Sequence, residues 1–426
     1  MTAAELLLSD GVVAFFIVVA LCTASVGFLL QLSTFAVLCL ALLAEIWMVL
    51  AWCGLAASCE TVWELPAVMV NIQFSLARAG MGIVSRGFRP RFPQWTVSFE
   101  FVRAILIGMR GGKFGYNLVK RRNAQYFRQQ GEIIGTIKGT KACRQFGTMV
   151  NPVMLNGLEH LWIRPKSDTR SKTRLVLLYY HGGGYVLFGP RFYVDLGNRL
   201  RAEILTKLQQ LDSKRMENVT VEVLLANYRK SPEHHFPVPE EDALSMYKYL
   251  LEQEGVPANH VILGGDSAGG GLVMSTLLRI RDETNLPQPT AAILACPFVD
   301  LAEDPSADKA RDRNCILPVT LLDAFIHTFH PTPADPKTWK DAASVYCDLH
   351  SLPPTYIQTG TCDTIHQDAV KLYAKAQADG LTTWEYDAFE NMPHAFIVVP
   401  AETLPEVHRG VDHAAEFAAR QWVKQL

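Results

Sequence analysis

The run Val261–Ile280, VILGGDSAGGGLVMSTLLRI, decides the fold. Val261 to Leu263 is apolar and β-rich, Leu272 to Ile280 has helical character, and Gly265-Asp266-Ser267-Ala268-Gly269 lies between them. Small residues two before and two after Ser267 permit an abrupt strand-to-helix turn that exposes the serine hydroxyl. Gly270 and Gly271 allow further close backbone packing, and the N–H of Ala268 is a candidate donor to a developing oxyanion. The pentapeptide alone could be an ordinary glycine-rich turn; its place between strand and helix makes Ser267 a candidate nucleophile.

Outward from this turn, short β-rich runs alternate with helix-compatible stretches. Arg174–Tyr180 (RLVLLYY), Val219–Leu225, Ala291–Ala295, Thr355–Gln358 and Thr383–Phe389 read as strands, and Asp242–Gln253, Asp368–Ala378 and Val411–Trp422 as helices. Such alternation calls for a mainly parallel central sheet with helices on both faces. There is no internal repeat and no dinucleotide-binding glycine fingerprint.

Two further motifs supply chemistry. His181-Gly182-Gly183-Gly184 follows the Arg174–Tyr180 strand, and its glycines let backbone N–H groups approach a substrate carbonyl. Gly182 and Gly183 are expected to join Ala268 as the oxyanion donors, with His181 organising the loop. A serine hydroxyl is a weak nucleophile near neutral pH, so a base must take its proton and return one to the leaving group. His394 lies just past the Thr383–Phe389 strand and Asp363 just past the Thr355–Gln358 strand. Either residue alone could be an ordinary surface group. In the chain order Ser267, Asp363, His394, at strand ends, they are candidates for nucleophile, orienting acid and base.

From about Leu175 onward these motifs resemble the hormone-sensitive-lipase branch of the α/β-hydrolases. His181 to Gly184 match its oxyanion glycines and Gly265 to Gly269 its GDSAG motif, with Gly184, Gly265, Asp266 and Gly269 as supporting residues. Asn227 to His234 with Phe236-Pro237 look like its DYRLAPEHPFP segment, with Asn227, Lys230 and Ser231 replacing its Asp, Leu and Ala. Cys296-Pro297-Phe298-Val299-Asp300 resemble its SPWVD loop. In that family the first acid of D-x-L-x-D belongs to the catalytic set, which points to Asp363 rather than Asp368. Ala395 stands where the family commonly has glycine after its catalytic histidine. The resemblance implies an α/β-hydrolase fold and a serine carboxylic-ester hydrolase working through an acyl-enzyme without metal or organic cofactor. Its substrate would be a lipophilic ester with a short acyl group such as acetate. A thioester, lactone or amide through the same acyl-enzyme is the chemical alternative, and a silent membrane-anchored ligand-binding protein the non-enzymatic one.

The N-terminus reads differently. Gly11 to Ala44 holds 34 residues without a charge, more than the roughly 20 that cross a bilayer as a helix. The break at Gln31, Leu32 and Ser33 could divide it into two helices. Residues 1–60 are therefore expected to be a membrane segment that meets the lipid bilayer. Residues 61–150 would be a basic linker with cap helices, and residues 151–426 the catalytic domain. From Arg78 to Arg122 the chain carries Arg78, Arg86, Arg89, Arg91, Arg103, Arg110, Lys113, Lys120, Arg121 and Arg122, opposed only by Glu100. Such a run beside a membrane segment could meet anionic headgroups. Phe99 to Ile107 interleaves apolar residues with Arg103 and suggests an amphipathic helix near the membrane or over an active-site mouth. The similarity to membrane-anchored arylacetamide deacetylases and fungal steryl acetyl hydrolases implies a domain in the endoplasmic-reticulum lumen. Asn218-Val219-Thr220 is an N-glycosylation acceptor that fits the lumen, whereas the positive-inside bias of the Arg78–Arg122 run points to the cytoplasmic side.

Over the whole chain Lys+Arg total 40 against Asp+Glu 42, a formal charge of -2, which excludes a generally basic nucleic-acid surface. Nine cysteines without a repeated short spacing argue against a zinc cluster or a disulfide-dense scaffold, while leaving room for one or two disulfides.

Overall fold

A computed structural model describes residues 11–110, 114–167, 173–303 and 314–426; Lys113 of the basic run falls outside them. Eight strands form one sheet in the order β1-β2-β4-β3-β5-β6-β7-β8. They are β1 (Thr148–Leu155), β2 (Leu158–Pro165), β3 (Thr173–Tyr180), β4 (Val219–Ala226), β5 (Val261–Asp266), β6 (Ala291–Ala295), β7 (Thr355–Gly360) and β8 (Glu385–Phe389). From β4 to β8 every neighbouring pair is parallel, while β1–β2 and β2–β4 are antiparallel. The six strands read from the sequence are all present, with β5 running on to Asp266 so that the turn falls at Ser267 itself.

Alternation along the strands feeds two apolar layers. Val176, Leu178 and Tyr180 of β3 face one layer and Leu175, Leu177 and Tyr179 the other. On the first face lie α8 (Val238–Glu252), α9 (Ala268–Glu283) and α11 (His366–Ala378), which contribute Met246, Leu277 and Leu372. The second face is covered by α7 (Val194–Leu211) and α12 (Glu406–Val423), through Leu200, Ile204, Val411 and Trp422. Each large aliphatic side chain buried this way stabilises the fold by about 1.5–3 kcal/mol, which is why the strands hold their register with both faces covered.

Ahead of the sheet run α1 (Val12–Leu29), α2 (Thr34–Leu55), α3 (Leu65–Ser85), α4 (Val97–Gly108), α5 (Phe114–Leu118) and α6 (Arg121–Gln145). The chain breaks between α1 and α2 where Gln31 to Ser33 interrupt the apolar run, and the Ser33 hydroxyl caps α2 by accepting from the Ala36 N–H. The segments Thr34–Ser58 and Val62–Ser85 are long and apolar enough to cross a membrane, by length and composition alone. Within this region Tyr126 of α6 donates its hydroxyl to the Cys53 carbonyl of α2 at 2.6 Å. The expected amphipathic helix is α4, which docks beside the β8 end of the sheet. The Trp95 indole donates to the Asn391 carbonyl at 2.8 Å, and the Thr96 hydroxyl donates to the Thr403 carbonyl. Between β6 and β7, α10 (Val319–Phe329) packs against α5, and its Phe329 stacks on Tyr185.

Candidate active site

The parallel strands place their C-terminal ends, and the loops that leave them, side by side. Ser267 sits between β5 and α9 with φ 53° and ψ -122°, a backbone conformation an ordinary serine avoids. Its N–H donates to the Ala295 carbonyl at 2.9 Å and its carbonyl accepts from Phe298 N–H at 2.9 Å, so the end of β6 holds the turn in place. A Cβ on Gly269 would lie 2.0 Å from the Tyr180 carbonyl oxygen, and this crossing of α9 over β3 is open only to glycine.

The loops after β7 and β8 are joined to one another. Thr361 N–H donates to the Phe389 carbonyl at 3.0 Å and Cys362 N–H to the Met392 carbonyl at 3.0 Å. This brings Asp363 against His394: Nδ1 lies 2.9 and 3.0 Å from the two carboxylate oxygens, and Asp363 is fully buried. Oδ1 of Asp363 also accepts from Ile365 N–H at 3.0 Å. Nε2 of His394 and Oγ of Ser267, both residues 7% exposed, carry no hydrogen bond among the described residues. Ala395, in the position the resemblance assigns to glycine, adopts the left-handed conformation with φ 48°.

The glycine loop corrects one expectation. The N–H of Gly182 is already committed, donating to Asp266 Oδ1 at 3.1 Å and lying 3.1 Å from the Tyr193 hydroxyl. It is therefore not free to bind a substrate oxygen. Gly183, with φ +117°, and Gly184 carry the adjoining N–H groups, and neither donates to another backbone or side-chain group among the described residues. The His181 ring stacks on Tyr228 with centroids 4.4 Å apart, and its Nδ1 contacts the Gly182 carbonyl at 2.7 Å. Burial and the nearby Lys230 charge hold its imidazole well below the usual histidine range, so it stays neutral.

Several supporting residues were not legible in the sequence. Tyr179 and Tyr193 donate to Asp266 at 3.0 Å each, and burial raises the Asp266 carboxyl to about 6 against the pull of these bonds. No motif marks either tyrosine. Asp368 Oδ2 accepts from Val299 and Asp300 N–H groups, both at 3.0 Å, and so shapes the loop after β6. Cys296, quoted above only as part of that loop, has its Sγ within 4.8 Å of ligand atoms of Asp363 and His394. Burial foremost, then the Asp363 charge, pushes its thiol well up, so it is a protonated neighbour of the carboxylate rather than a thiolate metal ligand.

The model of the alpha/beta hydrolase fold family matches residues 177–398, a span holding every residue of this site. The chain belongs to the α/β-hydrolase family. This α/β-hydrolase is 33% identical to an acetyl-hydrolase of Streptomyces hygroscopicus over 259 residues, covering 60% of this chain and 78% of that one. It is 25% identical to an esterase of Acinetobacter venetianus over 284 residues, covering 65% and 85%. Among solved structures, an esterase/lipase from an uncultured bacterium superposes with a TM-score of 0.57 at 28% identity, over 70% of this chain and 92% of that chain. An esterase from the bacterial hormone-sensitive lipase family gives 0.58 at 24% identity, over 78% and 100%, a likeness of fold. The α/β-hydrolase is a serine-dependent carboxylic ester hydrolase.

Proposed function

We propose that Ser267 is the nucleophile, His394 the general base and acid, and Asp363 the residue that orients the imidazole. The observation that carries this reading is the buried two-oxygen contact of Asp363 with His394 Nδ1, which leaves Nε2 as the nitrogen available to Ser267. Oγ attacks the ester carbonyl as its proton passes to Nε2, and the tetrahedral oxyanion is held by the N–H groups of Gly183, Gly184 and Ala268. The imidazolium gives its proton to the departing alkoxide, leaving an acyl-enzyme. Water then attacks the acyl carbon, losing a proton to Nε2, and Ser267 leaves with it. Asp363 stabilises the imidazolium in both halves. The missing Ser267–His394 hydrogen bond is of the kind that tightens once substrate is bound.

The acyl group is short, and acetate is the first choice. Phe325 of α10 crowds the oxyanion loop so closely that a Cβ on Gly184 would lie 2.1 Å from its ring, which narrows the site beside the carbonyl. The likeness to an acetyl-hydrolase supports the same reading. A panel of p-nitrophenyl acetate, butyrate and octanoate, with an acetyl thioester and an acetanilide, tests it. The expected result is the highest kcat/KM for acetate; a preference for octanoate, or for the anilide, contradicts it.

The alcohol portion is lipophilic and the N-terminal region membrane-bound, supported by the exposed apolar side chains Phe28, Leu29, Phe35, Leu38 and Leu42 of α1 and α2. The narrower likeness to arylacetamide deacetylases and steryl acetyl hydrolases, with Asn218 exposed just before β4, favours the endoplasmic-reticulum lumen. The nine cysteines, all free, and the Arg78–Arg122 charges pull toward the cytoplasmic face. Protease treatment of sealed microsomes carrying a tag after Leu426 decides between them: protection lost only on adding detergent supports the lumen, and digestion in intact vesicles contradicts it.

A further inference from the structure

The helix α3 turns an apolar side outward. Val70, Phe74, Ala77, Met81 and Val84 recur every three or four residues along its open face, and Phe88 continues the row past its end. Apart from Ala77, each of these side chains is more than half exposed. A helix that faces water presents its polar stripe there, and a continuous apolar row of this length goes beyond the scattered apolar exposure of an ordinary surface. Arg78, the one charged side chain of the helix, stands beside the row and lines the cleft toward α4.

The inner side of the same helix is closed by protein. At its start Leu65 and Val68 are buried in one cluster with Val12 and Phe15 of α1 and Trp52 of α2, and Trp63, just before it, meets the Phe15 ring edge-on at 5.2 Å. Further along, a Cβ on Gly108 of α4 would lie 2.4 Å from the Ile72 Cα, so the two helices approach backbone to backbone. At the far end Arg86 Nη2 donates to the two Glu100 oxygens at 3.0 and 2.7 Å. In turn α4 is held on the catalytic domain by the bonds of Trp95 and Thr96. The 21 residues of α3 span about 30 Å, enough to cross a bilayer. A helix clasped along one side, however, offers lipid only its other side.

What covers the row is set by its neighbours. Leu21 and Phe28 of α1 and Leu42 and Trp47 of α2 are also apolar and exposed, and the buried cluster joins the start of α1 and the end of α2 to the start of α3. The three helices together carry two charged side chains, Glu45 and Arg78. A second copy pairing along α3 would leave the apolar surface of α1 and α2 in water, whereas a bilayer covers all of it. We propose that the outer row of α3 rests in the hydrocarbon of the leaflet next to the catalytic domain, so that this helix lies on the membrane as part of the enzyme body while α1 and α2 enter it. An apolar helix face seated this way sinks about 5–10 Å below the headgroups. The proposal rests on the reading of the N-terminal region as membrane-bound. Its consequence is that α4, and the loop bearing His394 to which Trp95 is bonded at Asn391, stand near the bilayer in which a lipophilic ester dissolves.

The test uses the full chain in phosphatidylcholine nanodiscs that contain a phosphatidylcholine with a diazirine midway along one acyl chain. Turnover of p-nitrophenyl acetate verifies the fold; the discs are then irradiated and the lipid adducts mapped by peptide mass spectrometry. Adducts are expected on α1 and α2 and on the outer row of α3. On α3 they should be at least about tenfold more frequent at Val70, Phe74, Met81 and Val84 than at Val68 and Ile83, which face inward at 7% and 4% exposure. Adducts on α1 and α2 with none on α3 overturn the proposal and leave the membrane-bound N-terminus standing; a mass of two chains per disc would then identify a second copy as the occupant. Adducts on none of the three helices overturn that reading and the proposal with it. Adducts spread evenly around α3 show a crossing helix and overturn the proposal alone.

Discussion

Replacing Lys230 by leucine, the residue at that place in the DYRLAPEHPFP segment it resembles, should stabilise the enzyme, and by an amount that grows as pH falls. Lys230 is 7% exposed beneath the oxyanion loop and donates to the Tyr228 carbonyl at 2.9 Å and to Asn227 Oδ1. Burial, and then the Arg128 charge, push its ammonium from 10.5 down to about 7. Because the folded value is depressed, the folded chain binds fewer protons than the unfolded one between these two values. The contribution of the neutral amine is thus complete above pH 10.5 and is lost as pH falls toward 7. Linkage puts the loss at about 3 kcal/mol between pH 9.5 and pH 7. Leucine has no such dependence. The acids near Lys230 keep other partners: Glu233 has Arg128 at 2.7 Å, Asp242 has Arg229 at 2.7 Å and Glu132 has Arg191 at 3.4 Å. Asn227 Oδ1 keeps the Tyr228 N–H at 3.0 Å. Thermal unfolding of the full chain in detergent, wild type beside Lys230→Leu, reads the difference, in which all other titrations cancel. The variant's advantage in Tm should widen by roughly 6–12 °C from pH 9.5 to pH 7 and then level off below pH 7. An advantage that stays constant across this range would refute the reasoning.

Asp363→Asn should cost on the order of 10⁴ in kcat, because an amide cannot hold the same tautomer or stabilise an imidazolium. Asp368→Asn should stay within about tenfold of wild type. Burial and Asp300 push the Asp368 carboxyl well up, so the amide resembles its neutral form and still accepts from Val299 and Asp300; steady-state kinetics of the two folded variants rank them, and the reverse order contradicts the assignment. Ala395→Gly should raise Tm by about 1–3 °C, since leaving the left-handed region gains about 1 kcal/mol and glycine's larger unfolded-state entropy removes part of it. A fall in Tm would show that the strain at Ala395 is not where the energy lies.

The parts of this chain that could be read from sequence are those where one local rule governs. Fully buried parallel strands such as Leu175–Tyr180 and Ala291–Ala295 are continuous apolar runs, and they stood out for that reason. The antiparallel pair β1–β2 was missed because its burial is partial and Pro152 interrupts it, although Asn156-Gly157, both at positive φ, is a recognisable hairpin turn. The serine turn and the order of Asp363 and His394 were legible because they are sequence-local motifs at strand ends. The assignment of Gly182 failed because its N–H is captured by Asp266, an event set by the packing of two separate loops. Tyr179, Tyr193 and Cys296 were illegible for the same reason: they reach the site from different strands and loops, and no spacing along the chain records it.

The central claim is that Ser267 carries the acyl group, and covalent labelling tests it most directly. The full chain treated with a fluorophosphonate should take up one label per chain, found by peptide mass spectrometry on Ser267, with loss of ester turnover in step with labelling, and the folded Ser267→Ala variant should take none and turn over no ester. A label on another residue, or a folded Ser267→Ala variant that keeps near-wild-type kcat, would contradict the account.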